Sequence, residues 1–122
     1  MKIRIKGNSV RYRLSKTDID ILTATGYHEE QTSFGATVLK YALQKKEDAN
    51  ELSADYTNNM ITTYIPASFL QGWDKNDVIG IDARMPIGDE GTLYLLIEKD
   101  FKCLDDTTED QSDNYDNPNQ TC

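Results

Sequence analysis

Two segments at the start of the chain alternate apolar and polar side chains, which is the pattern of half-buried strands. They cover residues 2–6 and 9–14, and the Gly7-Asn8 pair between them is a preferred two-residue hairpin turn. The sequence therefore predicts a β-hairpin. Its core face carries Ile3, Ile5, Val10 and Tyr12.

A short helix and a second pair of strands are predicted next. Ser15 followed three residues later by Asp18 resembles a capping box, Ile19 and Leu22 form an apolar stripe, and Gly26 is a suitable stop. These signals predict a helix over 16–25. Residues 27–33 and 37–45 then read as strands around a turn near Gly35, and they offer the core Val38 or Leu39, Tyr41 and Leu43.

The same order of elements recurs in the second half of the chain. Residues 52–57 and 60–65 alternate around Asn58-Asn59, and an offset of 51 superposes the apolar positions of this hairpin on those of the first. Pro66 begins a short helix containing Phe69, Leu70 and Trp73, and strands over 78–85 and 92–100 follow. The sequence thus predicts one α+β domain over 1–103, mainly antiparallel β, made of two ββαββ repeats over 1–46 and 51–103.

Residues 104–122 are rich in Asp, Asn, Thr and Gln, and their sizeable apolar side chains are Leu104 and Tyr115 alone. This composition predicts a mostly flexible acidic tail. The alternative, in which residues 113–118 turn back and lay Tyr115 on the body, stays open at this point.

Charge is separated along the chain, although the net value is -8. The first sixteen residues carry six basic side chains and no acidic one, and the tail carries six acidic side chains and no Lys or Arg. The predicted register places five basic side chains on one solvent face of the first hairpin: Lys2, Arg4, Lys6, Arg11 and Arg13. The acidic tail residues are Asp105, Asp106, Glu109, Asp110, Asp113 and Asp116.

The stretch from Ile3 to Leu22, with its Gly-Asn-Ser turn, Val-Arg-Tyr-Arg-Leu strand and capping Ser, resembles the AbrB/MazE-type swapped-hairpin domain. Residues 61–70 resemble the strand, Pro and helix of that pattern, with Asn76 in place of an expected Gly further on. The resemblance implies a fused tandem pseudo-dimer in one chain, closed into a swapped-hairpin-like barrel. The whole chain also resembles small bacterial proteins of unknown function, which implies no activity.

Two functional hypotheses follow for a non-enzymatic binding module. In the first, the basic hairpin contacts phosphates of nucleic acid and the acidic tail modulates that contact. In the second, the tail binds a basic protein partner, as the swapped-hairpin resemblance implies for an antitoxin-like protein. A face that is merely solvated and balanced by nearby carboxylates is the structural alternative. The equivalent face of the second repeat lacks positive charge, which argues against symmetric operator recognition.

Catalytic and metal-binding candidates are few. His28 is the single histidine, and a structural role is favoured over a general base; an enzyme pairing His28 with Glu98 is the least favoured hypothesis. Glu98 and Asp100 are expected to neutralise nearby Lys or Arg. Cys103 and Cys122 lack neighbouring Cys or His, so we expect no metal site. We also expect no catalytic residue and no cofactor.

The chain contains no run of about 18 apolar residues, and its first residues lack the apolar stretch of a signal peptide. We therefore expect a cytoplasmic protein with no membrane segment. The partners expected are nucleic acid or a basic protein, and a monomer acting as an internal pseudo-dimer is favoured.

Overall fold

The structure of this chain, a computed structural model, describes residues 1–89, 91–102 and 111–116. Within these residues the order β-β-α-β-β occurs twice. The first occurrence comprises β1 (Lys2–Ile5), β2 (Ser9–Leu14), α1 (Lys16–Thr25), β3 (Tyr27–Ser33) and β4 (Val38–Lys46). The second comprises β5 (Ser53–Thr57), β6 (Met60–Pro66), α2 (Ala67–Leu70), β7 (Gly80–Pro86) and β8 (Thr92–Lys99). The predicted helix over 16–25 is confirmed.

The strands form two four-stranded sheets, and each sheet combines one hairpin from each half of the chain. The first sheet has the order β1-β2-β8-β7, and the second has the order β3-β4-β6-β5. Hairpin neighbours pair antiparallel, as expected, whereas the central pairs β2-β8 and β4-β6 are parallel. The expectation of a mainly antiparallel fold thus holds within hairpins, but both sheets are mixed. The described strands do not close into a barrel, so the barrel stays a prediction.

The two halves share one register across the parallel pairs. Ser9 lies opposite Tyr94 in the first sheet, and Met60 lies opposite Lys40 in the second. Met60 follows Ser9 at the repeat offset of 51, and Tyr94 follows Lys40 at the offset of 54. The hairpins are therefore exchanged symmetrically between the sheets.

Local turn and cap signals explain why these elements form where they do. Gly7, Asn58 and Asn59 all have positive φ, which the two hairpin turns require. At the start of α1 the Ser15 side chain accepts a hydrogen bond from the Asp18 backbone N–H, and the Asp18 carboxylate accepts one from Ser15 N–H. This reciprocal capping box satisfies two backbone groups that the first helical turn leaves unpaired. Gly26 ends the helix with φ of 77°.

The core lies between the sheets and under the helices. Its fully buried members include Tyr12, Leu22, Leu43, Trp73 and Ile97. Trp73 Nε1 donates a hydrogen bond of 2.8 Å to the Val78 carbonyl. The Val78 carbonyl thus bonds to the Trp73 side chain. Strand β7 begins at Gly80, two residues later than the predicted start at residue 78.

Candidate functional site

Four of the five predicted basic residues line one small pocket on the edge hairpin of the first sheet, and Lys6 is not part of its lining. Lys2, Arg4, Arg11 and Arg13 surround it together with Ile3, and its volume is about 170 Å³. Arg4 lies directly opposite Arg11, and Lys2 lies opposite Arg13, as the hairpin register predicts. Like charges in directly opposite positions repel, so this arrangement favours a nearby anion.

Two of these cations already have carboxylate partners. Arg13 Nε lies 3.1 Å from Glu98 Oε1, and Lys2 Nζ lies 3.1 Å from Asp100 Oδ2. The expectation that Glu98 and Asp100 neutralise neighbouring cations is therefore confirmed. The two cations are half-exposed, whereas Asp100 is buried, and both pairs reduce the charge that the face offers to an anion.

The centre of the face keeps its positive charge. No carboxylate within the described part of the chain pairs with Arg4 or Lys6. The Arg11 guanidinium lies 5.6 Å from the centroid of the Tyr94 ring, and the Arg84 guanidinium lies 5.1 Å from the same ring. Arg84 thus extends the basic face across β8, and the sequence alone did not indicate it, because Arg84 joins this face only through the β7-β8 pairing.

Tyr94 connects this face to an acidic group. Its hydroxyl donates a 2.9 Å hydrogen bond to Asp82 Oδ2, and this bond is the main cause of a raised Tyr94 pKa. The ring therefore stays neutral at physiological pH and keeps a π-face for two guanidinium groups.

The equivalent face in the second half of the chain has a different charge. Asp55 and Thr62 form the cross-strand pair that corresponds to Arg4 and Arg11. The Tyr64 hydroxyl donates to Asp55 Oδ2 at 3.0 Å. The basic face therefore exists on one side of the pseudo-symmetric molecule, as the sequence predicts.

A second polar site lies where α1 meets β3. His28 Nε2 is 2.8 Å from Asp18 Oδ1 and 3.6 Å from Glu30 Oε2. The ammonium of Met1 lies 3.1 Å from Asp18 Oδ2 and also contacts Glu30 Oε2. We call Asp18, His28 and Glu30 the triad. The structure gives His28 and Glu98 different partners: His28 contacts Asp18 and Glu30, whereas Glu98 contacts Arg13. The least favoured hypothesis, an enzyme that pairs His28 with Glu98, gains no support from these contacts.

Electrostatics within this site favour charged groups. Burial of the Asp18 carboxyl raises its pKa, but hydrogen bonds from Ser15 N–H, from His28 and from the terminal ammonium together outweigh burial, and its pKa lies below the ordinary value. For the Met1 amine, burial acts to lower the pKa, but Glu30 and Asp18 outweigh it and raise the pKa. The site therefore holds a positive charge between two carboxylates.

Part of the acidic tail lies on the body. Lys16 N–H donates to the Asp113 carbonyl at 3.0 Å, and Tyr115 N–H donates to the Asp100 carbonyl at 2.8 Å. The Tyr115 ring packs beside Phe101, and the Lys99 ammonium lies 4.9 Å from its centroid. Residues 111–116 thus follow the alternative in which Tyr115 lies on the body.

The acidic residues of the tail divide into two groups. Asp113 contacts the backbone N–H of Thr17, and Asp116 lies 3.3 Å from Lys102 Nζ, so these two carboxylates sit near α1 and Phe101. The other four, together with both cysteines, lie outside the described residues: Asp105, Asp106, Glu109, Asp110, Cys103 and Cys122.

An apolar groove opens at the end of the molecule where the hairpin turns lie. Its lining consists mainly of equivalent residues from both halves, and its volume is about 470 Å³. Ile5 and Tyr56 are 58% and 64% exposed, and as equivalent residues of the two halves they place two large apolar side chains in the lining of this groove. The remaining lining residues are Val10, Ile61, Leu39, Leu93, Ala54 and Asp55.

The architecture and these sites define a class: an α+β protein of two mixed sheets, with hairpins exchanged between its halves and a basic face on one side. The chain belongs to a family of unknown function (DUF7009), whose sequence model matches residues 1–119. No curated protein and no solved structure matches it significantly. The expected likeness to a family of unknown function is confirmed, and the AbrB/MazE-type resemblance stays a prediction.

Two further observations bear on function. The family has no assigned activity, and nothing in the described ranges indicates catalysis. Among the helices of the described residues, neither has the length or the apolar character needed to cross a bilayer.

Proposed function

We propose that this chain is a non-enzymatic binding module whose basic face contacts the phosphate groups of nucleic acid. The observation that carries the proposal is the direct opposition of Arg4 and Arg11 on an exposed sheet face. Neither guanidinium has a carboxylate partner within the described residues. An anion between them would convert their repulsion into attraction, and guanidinium groups match phosphate oxygens well.

The swapped-hairpin resemblance supports this proposal. In AbrB/MazE-type proteins hairpins are exchanged between two chains, and here hairpins are exchanged between two halves of one chain. We extend the proposal to a bacterial, cytoplasmic protein in which one chain acts as a fused pseudo-dimer. Because the second half lacks the basic residues, the contact would be one-sided, with phosphates rather than base edges as its target.

Binding of a short DNA duplex, measured by fluorescence anisotropy at about 50 and 200 mM salt, tests the proposal. The test variant combines Arg4→Asp with Arg11→Thr, which installs the residues found in the second half. The control combines Lys75→Asp with Lys40→Thr, which changes the net charge equally at exposed positions away from the face. We expect binding that weakens with salt, a loss of about tenfold or more in the test variant, and a small loss in the control.

Failure of the natural chain to bind at low salt would exclude the proposal. An equal loss in both variants would reduce it to a general charge effect.

The role of the tail can be tested without removing its docked part. Amide substitutions at Asp105, Asp106, Glu109 and Asp110 remove four charges while keeping residues 111–116. If these carboxylates compete with phosphates, DNA binding becomes tighter, and the gain shrinks with added salt. Unchanged affinity in the amide variant would exclude the tail as a competitor.

A protein-interaction module is the second candidate, and the apolar groove favours it. Its occupant would be a basic segment with apolar side chains, because the groove is apolar while the chain as a whole carries a net charge of -8. The tail carboxylates would then engage the cations of the same partner.

A labelled amphipathic Lys/Leu peptide serves as the probe for this candidate, with a Glu/Leu peptide of the same length as control. We expect the Lys/Leu peptide to bind and the Glu/Leu peptide not to bind. A variant that combines Ile5→Asp with Tyr56→Asp should lose this binding. Binding of neither peptide, or binding unaffected by these substitutions, would remove the candidate.

A further inference from the structure

We infer that the triad of Asp18, His28 and Glu30 is a binding site for a divalent first-row transition metal such as Zn²⁺. It offers one imidazole nitrogen and two carboxylate oxygens. These are donors that Zn²⁺ and its neighbours in that row accept readily. The sequence did not indicate this set, because Asp18 and His28 belong to different elements.

The donor atoms already have the spacing of a coordination shell. They all lie within 4.8 Å of one another, and His28 Nε2 is 2.8 Å from Asp18 Oδ1 and 3.6 Å from Glu30 Oε2. Ligands about 2.1 Å from a tetrahedral ion are about 3.4 Å apart. Small side-chain rotations would therefore place the three donors around one ion.

The site attracts cations, as its present contacts show. The Met1 ammonium contacts both Asp18 and Glu30, so a single positive charge already lies between the two carboxylates. A divalent ion carries twice that charge, and it can also accept the imidazole lone pair, which an ammonium cannot. We therefore expect the metal to displace the ammonium.

The second half of the chain shows that the fold does not require polar groups here. Phe69 is the third residue of α2, as Asp18 is the third residue of α1. Ile81 and Ala83 occupy on β7 the positions of His28 and Glu30 on β3, and all three counterparts pack against the hydrophobic core. Apolar side chains thus meet the packing need at this junction in the second half, so the cluster of metal-ligating side chains is specific to the first half.

An ion could reach the triad from one side. The Glu30 side chain is 36% exposed, whereas those of Asp18 and His28 are 11% and 13% exposed. Two donors are therefore held in place by their surroundings, and the third lies at the surface. Three protein donors leave a fourth position of a tetrahedral ion for water or the displaced amine.

The test uses Zn²⁺ alone as the probe and the full chain with Cys103→Ser and Cys122→Ser, which removes thiol ligands elsewhere. Titration calorimetry and the melting temperature measure binding. His28→Ile combined with Glu30→Ala copies the second half and serves as the site variant. We expect one Zn²⁺ per chain, a melting temperature raised by several degrees, and both effects lost in the site variant.

Because the chain has a single histidine, its imidazole carbon-bound proton signals belong to His28. Zn²⁺ should shift these signals at stoichiometric amounts in the Cys-free chain, whereas Mg²⁺ should not. If the site variant does not fold, this measurement on the natural His28 tests the inference independently. The inference would be overturned by any one of three results. The chain does not bind Zn²⁺ at millimolar concentration, the His28 signals do not shift, or a folded site variant binds Zn²⁺ equally well.

Discussion

Tyr12 Oη lies 2.9 Å from Thr63 Oγ1, and the two residues are separated by 51 positions, which is the offset between the two halves of the chain. They are equivalent residues of β2 and β6, and both are fully buried. Each lies on the central strand that pairs in parallel with a strand of the other half. Their hydrogen bond therefore joins the two sheets at the approximate two-fold axis.

We predict that this bond makes the halves energetically coupled. Tyr12→Phe leaves the buried Thr63 hydroxyl without its partner and should cost about 1–3 kcal/mol of unfolding free energy. Thr63→Val should cost a similar amount, because it leaves the buried Tyr12 hydroxyl without its partner. Burial raises the pKa of Tyr12 to about 12, although the hydrogen bond with Thr63 acts to lower it, so the hydroxyl stays neutral. The double variant should be less destabilised than the sum, which urea denaturation of all four proteins would measure. Additive effects would contradict the coupling.

We predict that a substitution of Arg4 changes the stability of the protein and its DNA affinity in opposite directions. Arg4→Asp replaces a like-charge cross-strand pair with an opposite-charge pair, and it installs the residue type that Asp55 provides at the equivalent position of the other half. We expect the unfolding free energy to rise by about 0.2–1 kcal/mol while DNA affinity falls. Thermal melts and anisotropy on the same samples would reveal the divergence. A variant that loses stability and affinity together would point to a structural role for Arg4.

Acid should weaken the contacts of Asp18. Its pKa is lowered in the folded state, so near pH 4 the unfolded chain binds more protons than the folded chain, and stability rises with pH. The contribution is present above the unfolded value of about 4 and is lost as pH falls through the folded pKa. Asp18→Asn should therefore cost about 1–3 kcal/mol at pH 6 and much less at pH 2.5, by urea denaturation.

Asp48→Asn, at an exposed position in the loop between β4 and β5, is the matched control. A cost for Asp18→Asn that does not change between the two pH values would contradict the ion-pair explanation.

The docked part of the tail should stabilise the body. Tyr115→Ser removes a ring packed against the core and beside Phe101 and Lys99, at a cost of about 1 kcal/mol for a side chain that is partly buried. Tyr56→Ser, at a largely exposed ring, should change stability by less than half of that. The denaturation midpoints of the two variants measure this difference. Equal losses of stability in Tyr115→Ser and Tyr56→Ser would argue against docking of the tail.

Local signals explain how much of the fold could be predicted. Gly7-Asn8, Asn58-Asn59, the Ser15 cap and Gly26 each act on residues a few positions away, so the hairpins and α1 have the predicted register. The face of the hairpin that carries Arg4 and Arg11 follows directly from that register.

The candidate sites were less predictable because they join residues from distant elements. Arg84 reaches the basic face through Tyr94, and Asp18 reaches His28 because α1 packs on β3. Neither contact leaves a signal in the neighbouring sequence.

The sequence by itself determined the alternating strands, their turns, the repeat and the one-sided charge, because these depend on short-range periodicity and turn chemistry. Only the tertiary structure decided that hairpins exchange between halves through the parallel pairs β2-β8 and β4-β6. The strands of a parallel pair lie far apart along the chain, so no local signal identifies them as partners. The pairing is determined by the burial of the apolar faces of the two sheets in one core. The same packing places Tyr12 on Thr63 and brings the triad together.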